Sequence, residues 1–135
     1  MNNIFSLIIL LSVFKTLYSQ DTFKGEFINM DLKIKMSLNL YDDIIPVPGL
    51  EIENCYGYFQ GNINGLWIIL KVIKIKGDVA EVRAVSERGS DAQNFRFTKK
   101  GDDIEIKQID GSAMKGISNR KYVKLPKTIL MKSAK

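Results

Sequence analysis

Apolar and polar residues alternate along most of the chain, and a period of two predicts β-strands. Ile28, Met30, Leu32, Ile34, Met36, Leu38 and Leu40 share one parity, separated by Asn29, Asp31, Lys33, Lys35, Ser37 and Asn39. The alternation predicts a half-buried strand over 28–40, long enough that a bend or interruption is expected within it. Pro46 and Pro48 then fix their own backbones and hold their neighbours extended, which predicts a loop or edge segment.

The run from Cys55 to Val85 carries the most register information. Asn64-Gly65 is a strong signal for a two-residue type I′ turn. Counted from that turn, Ile63 faces Leu66, Gly61 faces Ile68, Phe59 faces Leu70 and Gly57 faces Val72 on a core side. The other side pairs Asn62 with Trp67, Gln60 with Ile69, Tyr58 with Lys71 and Tyr56 with Ile73. The apolar parity then switches at Ile73 and Ile75, which predicts a β-bulge within 71–73. Gly77-Asp78 predicts a type II′ turn that sets Ile75 opposite Ala80, Ile73 opposite Val82 and Lys74 opposite Glu81. A turn at Gly101-Asp102 sets Phe97 opposite Ile106 and Lys100 opposite Asp103. "DGSAMKG" reads as a loop, followed by two short final strands that Pro126 separates.

The fold class expected from these patterns is all-β. An antiparallel meander of about seven strands forms a small barrel or half-open roll, with a two-layer β-sandwich as the alternative. Long bent strands and a bulge favour curvature, and hence the barrel.

Composition adds compartment and charge to this picture. Residues 1–19 read as a signal peptide, with an apolar stretch from Ile4 to Phe14 and a cleavage site at Ser19/Gln20. The apolar stretch falls short of the roughly 20 residues that a membrane span needs. A secreted or periplasmic location is therefore expected, with residues 20–135 as a single β-domain. Cys55 is the only cysteine, so no intramolecular disulfide forms. In an oxidising compartment it is expected to be a buried small hydrophobe, with pairing between two chains as the sharper alternative.

The chain contains no histidine. That removes Ser-His-Asp triads, Cys-His dyads and histidine-ligated metals, so no enzyme, no cofactor and no metal are expected. The net charge is +5, and no acidic residue follows Asp110. The segment 111–135 carries Lys115, Arg120, Lys121, Lys124, Lys127, Lys132 and Lys135. This segment is expected to be a solvated strand and tail, with contact to an acidic surface, lipid headgroups or an anionic polymer through Lys121, Lys124 and Lys127 as the sharper alternative. An extracytoplasmic location argues against nucleic acid as the partner.

Two groups of residues are candidate binding sites. Tyr56, Tyr58 and Trp67, with Gln60, Asn62 and Lys71, are expected on one outer face, where rings stack on a ligand and amides bond its edge. The alternative is that the C-terminal strands, with Tyr122, Val123 and Ile129, cover this face. The polar loop 86–93 offers Ser86, Glu87, Arg88, Ser90 and Asp91 as contact residues. Its serines lack a base, and its two carboxylates are too few for calcium.

"YGYFQGNINGLWI", "GSDAQ" and "NRKYVKLP" give the chain a resemblance to small secreted β-rich proteins of bacteria. The resemblance implies compartment and fold class and transfers no catalytic residue. The expected function is a non-enzymatic β-domain that binds an envelope or extracellular partner, whether carbohydrate, peptide or protein, through the aromatic face. Two alternatives are an inhibitor or toxin-neutralising protein that uses the 86–93 loop, and a lipocalin-like carrier of a small apolar ligand.

Overall fold

The computed structural model describes residues 22–134, which contain twelve strands and no helix. Eight of them close a barrel: β1 (Lys24–Asn29), β2 (Ile34–Asn39), β5 (Gly57–Gly61), β6 (Trp67–Lys76), β7 (Val79–Ser86), β8 (Ala92–Lys100), β9 (Asp103–Gly111) and β12 (Thr128–Ser133). Each pairs antiparallel with its neighbour in this order, and β12 returns to β1. Closure leaves the barrel without an exposed sheet edge, and it decides against the half-open roll and the sandwich.

Two small hairpins interrupt the meander. β3 (Ile45–Val47) and β4 (Leu50–Cys55) lie between β2 and β5, turning at Pro48-Gly49, where Gly49 has φ 83°. β10 (Lys115–Ser118) and β11 (Lys121–Lys124) lie between β9 and β12. The first insertion, the Gly77-Asp78 and Gly101-Asp102 turns, Thr22 and the last described residues occupy one end of the barrel, the terminal end. The β1–β2 turn, the 62–66 link, the β7–β8 loop and the β10–β11 hairpin occupy the other, the lid end.

Inward residues follow the period of two. Phe27, Ile34, Met36, Leu38, Phe59, Trp67, Ile69, Ala80, Val82, Ala84, Phe95, Phe97, Ile104, Ile106, Ile129 and Met131 are all buried in one cluster. Phe59 lies 4.8 Å from Phe95 and 6.1 Å from Phe97, centroid to centroid, so aromatic rings fill the bore. Phe23 and Leu40 close the terminal end, joined by a 3.1 Å bond from the Leu40 N–H to the Phe23 carbonyl. Ile63, Met114 and Leu125 close the lid end. A smaller cluster of Val47, Cys55 and Ile68, flanked by Ile45 and Leu66, packs the β3–β4 hairpin on the outside of the wall.

The turns expected at Gly77-Asp78 and Gly101-Asp102 are present, with Ile75 opposite Ala80, Lys74 opposite Glu81, Phe97 opposite Ile106 and Lys100 opposite Asp103. Three expectations need correction. The 28–40 run is a hairpin: Asn29 pairs with Ile34, and Lys33 turns the chain with φ 56°. The Asn29 side chain accepts the Leu32 N–H at 2.9 Å and stabilises that turn.

Asn64-Gly65 does not join two paired residues either. Gly57 pairs with Ile69, Tyr58 with Ile68 and Phe59 with Trp67, and Ile63 instead bridges to Gly116. This register turns Trp67 and Ile69 into the bore, whereas a two-residue turn would place Leu66 and Ile68 there. Burying the larger indole outweighs the local turn preference. Finally, β6 carries two irregularities, at Leu70 and at Ile73, where one was expected, so Val72 rather than Ile73 faces Val82.

Candidate functional site

The expected aromatic face does not exist as one surface. Trp67 is fully buried in the bore, and its indole N–H donates to Asn64 Oδ1 at 3.1 Å. Tyr58 lies outward and half-buried, opposite Ser37 and Ile68, and Tyr56 packs against the main core. Desolvation raises the Tyr58 phenol pKa first, and the nearby Glu26 charge adds to it, while a hydrogen bond with Ser37 works the other way. Gln60 is exposed beside Ile28, Met30, Lys33 and Lys35 in a groove of about 470 Å³. The Asn62 amide is committed to the Ile117 carbonyl at 2.7 Å, and exposed Lys71 sits beside Arg83. What covers part of this wall is the β3–β4 hairpin, not the C-terminal strands.

Cys55 belongs to that covering hairpin. Its thiol is buried within reach of the Gly57 and Ile45 carbonyls at 3.2 and 3.4 Å. Burial pushes its pKa above the ordinary thiol value, against a smaller opposing contribution from the Gly57 hydrogen bond.

The loop between β7 and β8 is shorter than the 86–93 segment, because Ser86 and Ala92 already lie in strands. Ser86 is buried; its N–H donates to the Asp91 carbonyl at 2.8 Å and its hydroxyl accepts the Arg88 N–H at 3.3 Å. The Glu87 N–H donates to the Leu66 carbonyl, and the Glu87 carboxylate accepts the Leu66 N–H at 3.2 Å. Those bonds tie the loop to the 62–66 link. Arg88 and Ser90 stay exposed at its tip, around Gly89 with φ 79°, and Asp91 is half-buried.

The β10–β11 hairpin crosses the mouth of the barrel as a lid. Asn64 anchors it: its N–H donates to the Lys115 carbonyl at 2.9 Å and its Oδ1 accepts the Lys115 N–H at 2.8 Å. The Asn62 bond to Ile117 and the Ile63–Gly116 bridge complete the attachment. Both tip residues, Asn119 and Arg120, have positive φ (50° and 64°), as a type I′ turn requires. Behind the tip, Lys121, Tyr122, Val123 and Lys124 are all exposed, Tyr122 at 53%.

Beside this lid runs a groove of about 620 Å³. Lys115, Tyr122 and Lys124 share the hairpin face that lines it, and Lys127 and Pro126 continue the wall. Met114 and Leu125 form an apolar floor. Gln93 and Gln108 line the groove too, but their amides are committed. Gln93 Nε2 donates to Gln108 Oε1 and the Ser112 carbonyl, and Gln108 bonds both the N–H and the carbonyl of Met114.

Among the described residues, the ion pairs are Lys74–Glu81 and Arg96–Glu81, so no lid cation has a carboxylate partner. Lys121, Lys124 and Lys127 were legible as a basic segment; that Lys124 and Lys127 line a groove with Tyr122, while Lys121 stands at the hairpin tip, was not, because it depends on the remote Asn64 anchor. No family model, curated protein or solved structure matches the chain.

Proposed function

We propose that the protein is a non-enzymatic binding module of the envelope or extracellular space, and that it holds an acidic partner at the lid end of its barrel. One observation carries this reading. Among the described residues, Lys115, Arg120, Lys121 and Lys124 of the hairpin bonded to the barrel, and Lys127 just after it, stand without ion-pair partners near exposed Tyr122. Unpaired cations on a rigid support attract an anion at little ordering cost. Thr22, the first described residue, lies at the opposite end of the barrel from the lid.

The filled bore gives an apolar carrier function no support, and the dispersal of Tyr56, Tyr58 and Trp67 gives none to an aromatic platform. The test is retention on an immobilised polyanion as salt is raised. Reversal of the lid charge as a whole, Arg120→Glu, Lys121→Glu, Lys124→Glu and Lys127→Glu together, is expected to elute the protein at clearly lower salt than wild type, with unfolding unchanged. Equal elution of the two would refute the reading.

The inhibitor reading keeps one observation in its favour, since Arg88 and Ser90 are exposed at the same end. If it holds, Arg88→Ala with Asp91→Ala abolishes capture of a protein target while polyanion binding persists.

A further inference from the structure

We infer that the groove beside the lid is a subsite for an acidic polysaccharide, with sugar rings against Tyr122 and Pro126 and their carboxylate or sulfate groups on Lys115, Lys124 and Lys127. The inference rests on the acidic-partner reading above and narrows it to one ligand class and one set of residues.

Shape argues first. The cations line a concave groove of about 620 Å³, within the range of about 300–1,000 Å³ typical of ligand sites. A bilayer surface needs a flat or convex face with apolar side chains projecting from it. Here the apolar residues Met114 and Leu125 form the buried floor, and the charges stand on the walls. A linear polyanion follows a groove; a membrane does not enter one.

Chemistry argues second. An extended peptide laid in the groove needs partners for its backbone amides. The side-chain amides there, Gln93 and Gln108, are already bonded to each other, to Ser112 and to Met114. What the lining side chains still offer is positive charge, one aromatic face and one proline ring. A ring-bearing anion whose hydroxyls stay in water is recognised by those groups alone.

The experiment measures binding of the purified protein to a heparin oligosaccharide and an oligogalacturonate of defined length, with neutral dextran, polyglutamate and anionic phosphatidylglycerol vesicles as comparators. Lys124→Gln and Lys127→Gln are each expected to weaken oligosaccharide binding roughly three- to tenfold. Each is also expected to lower the slope of log affinity against log salt by about one. Tyr122→Ala is expected to weaken binding at constant charge, and Tyr122→Phe to retain it.

Equal losses from Arg120→Gln and Lys121→Gln at the tip, with Tyr122→Ala neutral, would overturn the groove while leaving an acidic partner in place. Tight binding of vesicles or polyglutamate without oligosaccharide binding would do the same. If none of the anionic probes binds, both the groove and the acidic-partner reading fall.

Discussion

Asn64 joins the core to the lid through one side chain. Its carbonyl oxygen accepts the indole N–H of buried Trp67 and the backbone N–H of Lys115. Asn64→Ala strands both donors, one of them in the core, and is expected to cost about 1–3 kcal/mol in denaturant unfolding. Asn64→Asp keeps the acceptor and is expected to lose less. Limited proteolysis should cut the lid of the alanine variant first. The Asn-Gly pair reads from sequence as a two-residue hairpin turn, but here it sits in the longer bent link 62–66. The reach of its side chain to Lys115 is not readable, because the two residues are distant in the chain.

Cys55 and Tyr58 are expected to make stability sensitive to alkaline pH at the same scale. Both are held above their ordinary pKa values, chiefly by burial. The unfolded chain therefore ionises first. Their contribution is fully present below the unfolded values, about 8.5 and 10, and is lost as pH rises through the raised folded values. Urea melts are expected to show falling stability above about pH 8.5, and Cys55→Ala is expected to flatten the first part of that fall. A stability that stays level through this window would count against the burial described here.

At the scale of elements, β5 and the tip of the β10–β11 hairpin each hold a residue in a conformation that favours glycine. A Cβ on Gly61, at φ 118°, would run into the Lys33 carbonyl across the β2–β5 pair. Gly61→Ala is expected to cost at least about 1–3 kcal/mol, from backbone strain and the collision together. At the lid tip, Arg120 holds a left-handed conformation that glycine adopts without strain. Arg120→Gly is expected to raise stability by about 0.5–1 kcal/mol while lowering polyanion affinity, a separation that calorimetry and binding measure independently.

Element boundaries were legible where two local residues decide them, as at Gly77-Asp78 and Gly101-Asp102. The β1–β2 turn was hidden because "MDLK" continues the apolar parity and contains neither glycine nor proline. Facing was lost in β6 for a related reason. Parity cannot be carried through bulges at Leu70 and Ile73, and it was started one face out by the turn at Asn64.

At the scale of the whole molecule, the pattern of alternation predicted an antiparallel meander and favoured a barrel, with the half-open roll and the sandwich still open. Closure by β1 and β12 needed the two ends of the chain to meet, which no local signal encodes. The location rests on residues 1–19, which lie outside the described region. If the leader is removed as proposed, the protein recovered from the medium or periplasm starts at Gln20, and N-terminal sequencing reads this directly.

The central claim concerns which end of the barrel binds. Backbone amide shifts recorded while a heparin oligosaccharide is titrated into the protein test it most directly. Shifts confined to residues 113–127 and to Gln93 and Gln108 are expected. Shifts centred on Tyr56, Tyr58 and Gln60, or no shifts at saturating ligand, would contradict the account.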